Sequence, residues 1–91
     1  MAKILIPTPL RQYAGGDDSV DTDASNAGDA LNQLVEKHPD LKKQLFNDEG
    51  KLRSFVNVFI DDEDIRFMDG TDTEIDDDAN LRIIPSIAGG R

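Results

Sequence analysis

The chain contains no cysteine and no tryptophan, and His38 is its only histidine. Without cysteine there is no thiol nucleophile, disulfide framework, zinc ribbon or iron–sulfur site to consider. Long apolar runs are missing as well. The N-terminal Ile4-Leu5-Ile6 is cut off by Pro7, too short for a signal h-region or a membrane span, so the expectation is a soluble cytoplasmic protein. Positive charge is scarce: 10 Lys and Arg stand against 19 Asp and Glu, a net charge of −9. Phosphate binding needs a cationic face, so nucleic acid is excluded as a partner, and a partner with a basic surface is favoured through steering of encounter.

What is present suits one small domain. Ninety-one residues with 37% hydrophobic content give one modest core, inside a globule of radius of gyration roughly 12 Å. A deep catalytic cleft would cost such a core much of its stability, which favours a carrier or binding module over an enzyme. Fifteen of the acids are Asp and only four Glu, so many belong in turns and caps.

Lys3 to Pro7 reads as a first strand and Ser19 to Thr22 as a second, joined as a hairpin through the turn cluster Gly15-Gly16-Asp17-Asp18. Ala27, Ala30, Leu31, Leu34 and Val35 make one apolar helical stripe, with Asn26 as N-cap, Lys37 and His38 at the negative end and Pro39 as the stop. Leu41, Leu45 and Phe46 suggest one or two further helical turns before Asn47-Asp48-Glu49-Gly50. Phe55 to Ile60 is the strongest strand, of the kind that is either central and covered on both sides or carries an exposed binding face. An acidic turn, Asp61 to Asp64, leads into a short strand at Ile65-Arg66-Phe67, and a last strand covers Leu81 to Ile84. This order predicts an α+β domain, a mixed sheet of about five strands on one main helix, with the terminal strands paired centrally.

Three acidic clusters invite a metal reading: Asp17 to Asp23, Asp61 to Asp64 and Asp69 to Asp78. A calcium loop needs glycine at its sixth position, and counting from Asp69 or Asp72 that position holds Glu74 or Asp77. They read as solvated turns, with no metal ligands assigned. Arg53 and Arg66 can pair with neighbouring acids, and His38 reads as a favourable charge at a helix end. Phe55 and Phe59 share one face of their strand, while Val56, Val58 and Ile60 share the other. The helix covers one face only. With the valine set buried, the phenylalanine face becomes a docking surface.

At the C-terminal end Ala88-Gly89-Gly90 offers a narrow strip without bulky side chains, about 10 Å long when extended. Three segments resemble the β-grasp, ubiquitin-like sulfur-carrier proteins of the MoaD and ThiS type: Ile6-Pro7-Thr8-Pro9-Leu10-Arg11, Phe55 to Arg66, and Ile83 to Gly90. The likeness is greatest to the CysO branch, which donates sulfur for cysteine synthesis. The resemblance implies a domain over residues 1–87, with residues 88–91 as a flexible diglycine tail. It also implies a Gly90 carboxylate adenylated by an E1-like adenylyltransferase/sulfurtransferase that uses ATP and Mg, and converted to a thiocarboxylate. Gly89 and Ala88 would form the narrow approach, and Phe55, Phe59 and Ile87 would serve partner docking. No cofactor is bound by the carrier itself, and a sulfur-accepting enzyme such as a cysteine synthase follows. Arg91 departs from the family's usual diglycine end, so the resemblance implies a precursor cut between Gly90 and Arg91 by a JAMM-type metallopeptidase. A ubiquitin-like modifier conjugated through Gly90 to lysines, and a sulfur donor for molybdopterin or thiamin, remain open alternatives.

Overall fold

Apolar residues at every second position build the sheet, and one apolar helical stripe covers it. The computed structural model describes residues 1–54 and 56–85. The strands are β1 (Ala2–Leu5), β2 (Ser19–Thr22), β3 (Val56–Ile60), β4 (Glu63–Asp64) and β5 (Asn80–Pro85). Their order in the sheet is β2-β1-β5-β3-β4. β1 and β5 run parallel at the centre, with Ile4 opposite Leu81. All other pairings are antiparallel. The expected hairpin, mixed sheet and central pairing of terminal strands are all present. The Cα radius of gyration is 12.0 Å, the value expected from chain length.

One face of the sheet is the core face. Ile4, Ile6, Val20, Val58, Leu81 and Ile83 are buried there, against helix α1 (Ala27–Lys37), whose Ala27, Ala30, Leu31 and Leu34 are completely enclosed. Burying each leucine of that stripe contributes roughly 2 kcal/mol. The Asn26 side-chain oxygen caps α1 by accepting the Asp29 amide at 2.8 Å, which satisfies one of the orphan donors of the first turn. Gly28 lets that turn lie against residues Gly70–Asp72: a Cβ added there would stand 3.0 Å from the Thr71 carbonyl oxygen. At the other end His38 is the C-cap, and its Nε2 lies 3.4 Å from a carboxylate oxygen of Asp17, joining the helix end to the loop before β2. A 3₁₀ turn at Pro39–Leu41 and a short helix α2 (Lys42–Leu45) follow, burying Leu41 and Leu45 as the spacing implied.

Besides a 3₁₀ turn at Gly70–Asp72, within a stretch expected to be irregular, two segments differ from expectation. Residues Thr8–Ala14 form a 3₁₀ helix where no regular element was foreseen. Pro9 suits its first turn, Leu10 and Ala14 plug the core, and Gly15 closes it at φ 64°. Ile65–Phe67, expected as a strand, is a 3₁₀ turn, and the strand before it is only the pair Glu63–Asp64. The cause lies in Asp64. Its carboxylate accepts the Arg66 amide at 2.9 Å and faces the Arg66 guanidinium at 3.3 Å, so side-chain turn chemistry outcompetes strand propensity. Ile65 then drops into the core at 2% exposure while Phe67 points outward at 89%. Bounds elsewhere shift by a residue or two: the first strand ends at Leu5 and the last extends from Asn80 to Pro85.

Candidate docking face and the base of the C-terminal segment

Because β-strand side chains alternate, the sheet's second face is set by the same residues that build the core. It carries Lys3 and Leu5 from β1, Asp21 from β2, Asn57 and Phe59 from β3, and Arg82 and Ile84 from β5. The register sets Leu5 beside Arg82 and Arg82 beside Phe59, making one row across three strands. A second row, nearer the end of β5, joins Asn57 to Ile84. Leu5 and Ile84 are each 36% exposed, which is high for large aliphatic side chains in a sheet. No described helix covers this face.

Cations gather at the base of the C-terminal segment, although the chain as a whole is acidic. Arg11 and Arg82 line a small cavity with Leu5, Ile6, Pro7 and Ile84. Arg11 is held there by its Nε, which donates to the Ile6 carbonyl at 3.0 Å. Arg82 reaches Asp62 only at 3.7 Å, and both groups stay largely in solvent, so the pair contributes little and leaves Arg82 available. Asn57 Oδ1 is buried with no hydrogen-bond partner among the described residues.

Of the residues the sequence nominated, Phe59 lies on the open face, half-buried, while Val56, Val58 and Ile60 are buried beneath it. Phe55, Ile87, Ala88, Gly89, Gly90 and Arg91 lie outside the described residues. Leu5, Asn57, Arg82 and Ile84 were not singled out as site residues, although the period-two alternation of β1, β3 and β5 is the signal that finds them. Arg66 pairs with Asp64, while Arg53 donates its Nε to the Lys43 carbonyl at 2.9 Å and so ties the chain to α2. Among the described residues no three His, Cys, Asp or Glu side chains converge as a metal site. No helix of the described structure is long and apolar enough to cross a membrane.

A five-stranded mixed sheet gripping one helix, with parallel terminal strands at its centre, defines a ubiquitin-like β-grasp protein. The chain belongs to the ThiS family of sulfur carriers, whose sequence profile matches residues 4–90. It is 36% identical over 89 residues to the sulfur carrier protein CysO of Mycobacterium tuberculosis, covering 96% of both chains. A chain in the crystal structure of the Amycolatopsis orientalis BexX/CysO complex superposes with a TM-score of 0.88 at 36% identity, over 99% of this chain and 100% of that one. Small archaeal modifier protein 1 of Haloferax volcanii is 38% identical over 71 residues, covering 78% of this chain and 76% of its own. The relatives thus join a sulfur carrier of the CysO type to ubiquitin-like modifiers, and no catalytic family is among them.

Proposed function

We propose that this protein carries sulfur as a thiocarboxylate on Gly90, after removal of Arg91, and donates it for cysteine synthesis. The observation that carries the reading is the position of β5. It is paired on both sides, with β1 and β3, and ends at Pro85, immediately before residues 86–91 in the sequence. In this reading residues 1–87 are the base and residues 88–91 the tail. Ala88, Gly89 and Gly90 enter a partner's channel, while the row Leu5–Arg82–Phe59 and Ile84, with Ile87 and Phe55, dock on that partner's surface. The kinship to CysO supports the cysteine pathway over molybdopterin or thiamin as the destination.

The chemistry belongs to partners. An E1-like adenylyltransferase with ATP and Mg joins the Gly90 carboxylate to AMP and releases pyrophosphate. A sulfide equivalent then attacks the acyl carbon and expels AMP, leaving the thiocarboxylate. With Arg91 in place the terminal carboxylate sits on a bulky cation, so a JAMM-type metallopeptidase must first hydrolyse the Gly90–Arg91 bond. A cysteine synthase would receive the sulfur. The compartment in this reading is the cytoplasm.

Intact-mass analysis of the protein recovered from its own host tests the proposal. The expected species lacks one arginine residue and, in part, has sulfur in place of one terminal oxygen. Retention of Arg91 in every molecule would sink it. A second reading, conjugation of Gly90 to lysines, is favoured by the 38% identity to small archaeal modifier protein 1. Isopeptide adducts on other proteins, with no thiocarboxylate on the free chain, would select it.

A further inference from the structure

Phe67 is the most exposed large apolar side chain among the described residues, at 89%, and Met68 beside it is 39% exposed. A phenylalanine standing in water gives up all the stabilisation that burial would bring. It shares an open cleft of about 360 Å³ with Phe59, Asp62, Glu63 and Asp64, at the β4 edge of the sheet. Two aromatic rings and three carboxylates, with no cation, form that lining. The charges are unequally committed. Asp64 is 9% exposed and already satisfied by Arg66. Asp62 is 95% exposed and touches only Arg82, at 3.7 Å, and Glu63 is exposed on β4.

We infer that this cleft seats an arginine side chain of a partner protein. A neutral apolar group would strip water from Asp62 and Glu63 without compensation, and an anion would be repelled. A cation with a flat apolar face satisfies both halves of the site. The guanidinium plane stacks on the phenyl rings, and its fork donates to Glu63 and to Asp62, which Arg82 holds only loosely at 3.7 Å. Lysine, a compact and strongly hydrated point charge, fits the carboxylates and wastes the rings. The inference deepens the docking reading of the sheet face by naming the chemistry of the group that reaches its β4 edge. It depends on that reading only for the existence of a partner, and its test does not involve Gly90.

The test is an NMR titration of the isotope-labelled full chain at low ionic strength with three blocked tripeptides, Gly-Arg-Gly, Gly-Lys-Gly and Gly-norleucine-Gly. The expected result is saturable shifts confined to Phe59, Glu63, Phe67 and Met68, ordered arginine, lysine, norleucine, and fading as salt is added. Phe67→Ala should weaken the arginine peptide about two- to fivefold. Phe67→Leu, which keeps the bulk and removes the ring, should weaken it nearly as much. Glu63→Gln should lessen both affinity and salt dependence. Equal binding of the norleucine peptide would overturn the inference. So would shifts spread over all the acidic turns and unchanged in Phe67→Ala. The peptide titration reads the cleft and the intact-mass analysis reads the Gly90 end, so either reading can fail while the other stands.

Discussion

The two faces of the sheet come from the same strands and alternate residues, yet they obey different rules. On the inner face Ile4, Val58, Leu81 and Ile83 are almost wholly enclosed under α1. On the outer face aliphatic, aromatic and charged side chains stand side by side: Leu5, Arg82, Phe59, Lys3, Asp21. The inner face is uniform because packing rewards volume and punishes any polar atom. The outer face is mixed because solvent tolerates both kinds of side chain, and against a partner apolar area and charge would act together. One face therefore sets stability, and the other is the face the proposed function assigns to recognition.

Substitutions can break that division, beginning with the largest effect. Leu31→Ala removes a fully buried side chain from the helical stripe. It should cost about 3 kcal/mol of unfolding free energy by denaturant titration. Asp61→Val comes next. Asp61 sits at φ 57° in the β3–β4 turn, where a β-branched residue is strained by about 1–2 kcal/mol. That loss should appear as a lower unfolding midpoint with an unchanged denaturant slope. Asn26→Ala deletes the α1 cap and should cost about 1 kcal/mol. Phe59→Asp is the reverse case. It should leave the unfolding free energy within about 0.5 kcal/mol of the parent, as surface changes do, while binding to the proposed activating partner falls sharply in a calorimetric titration. A stability loss as large as that of Leu31→Ala would erase the distinction between the faces.

The inner face was legible in the sequence because its signals agree: the Ala27–Val35 stripe, the Asn26 cap and the strand alternation all point to one core. The central pairing of the terminal strands was legible from strand order alone. What escaped detection were places where a single side chain overrides pattern. Asp64 turns Ile65–Phe67 out of the strand by bonding the Arg66 amide, and no apolar period records that. Pro9, Leu10 and Ala14 build a 3₁₀ helix whose spacing is too short to show a stripe. Phe59 was identified as a face residue, since alternation along one strand is enough for that. Its neighbours Arg82 and Leu5 needed register across three strands, and register is a property of the assembled sheet. Phe67 was hidden by its assignment to a strand. Once that segment is a turn, its exposure follows.

The central parallel pairing also has a mechanical meaning. In the proposed function, a partner that draws in the last residues would pull on the C-terminal end of β5. β5 is clamped between β1 and β3, and its parallel neighbour begins at the opposite terminus of the chain. The load therefore falls on several hydrogen bonds at once, in shear, instead of peeling them one at a time as at a sheet edge. In the proposed function the fold would act as an anchor bolt, holding β5 through two ladders while the body behind it stays folded.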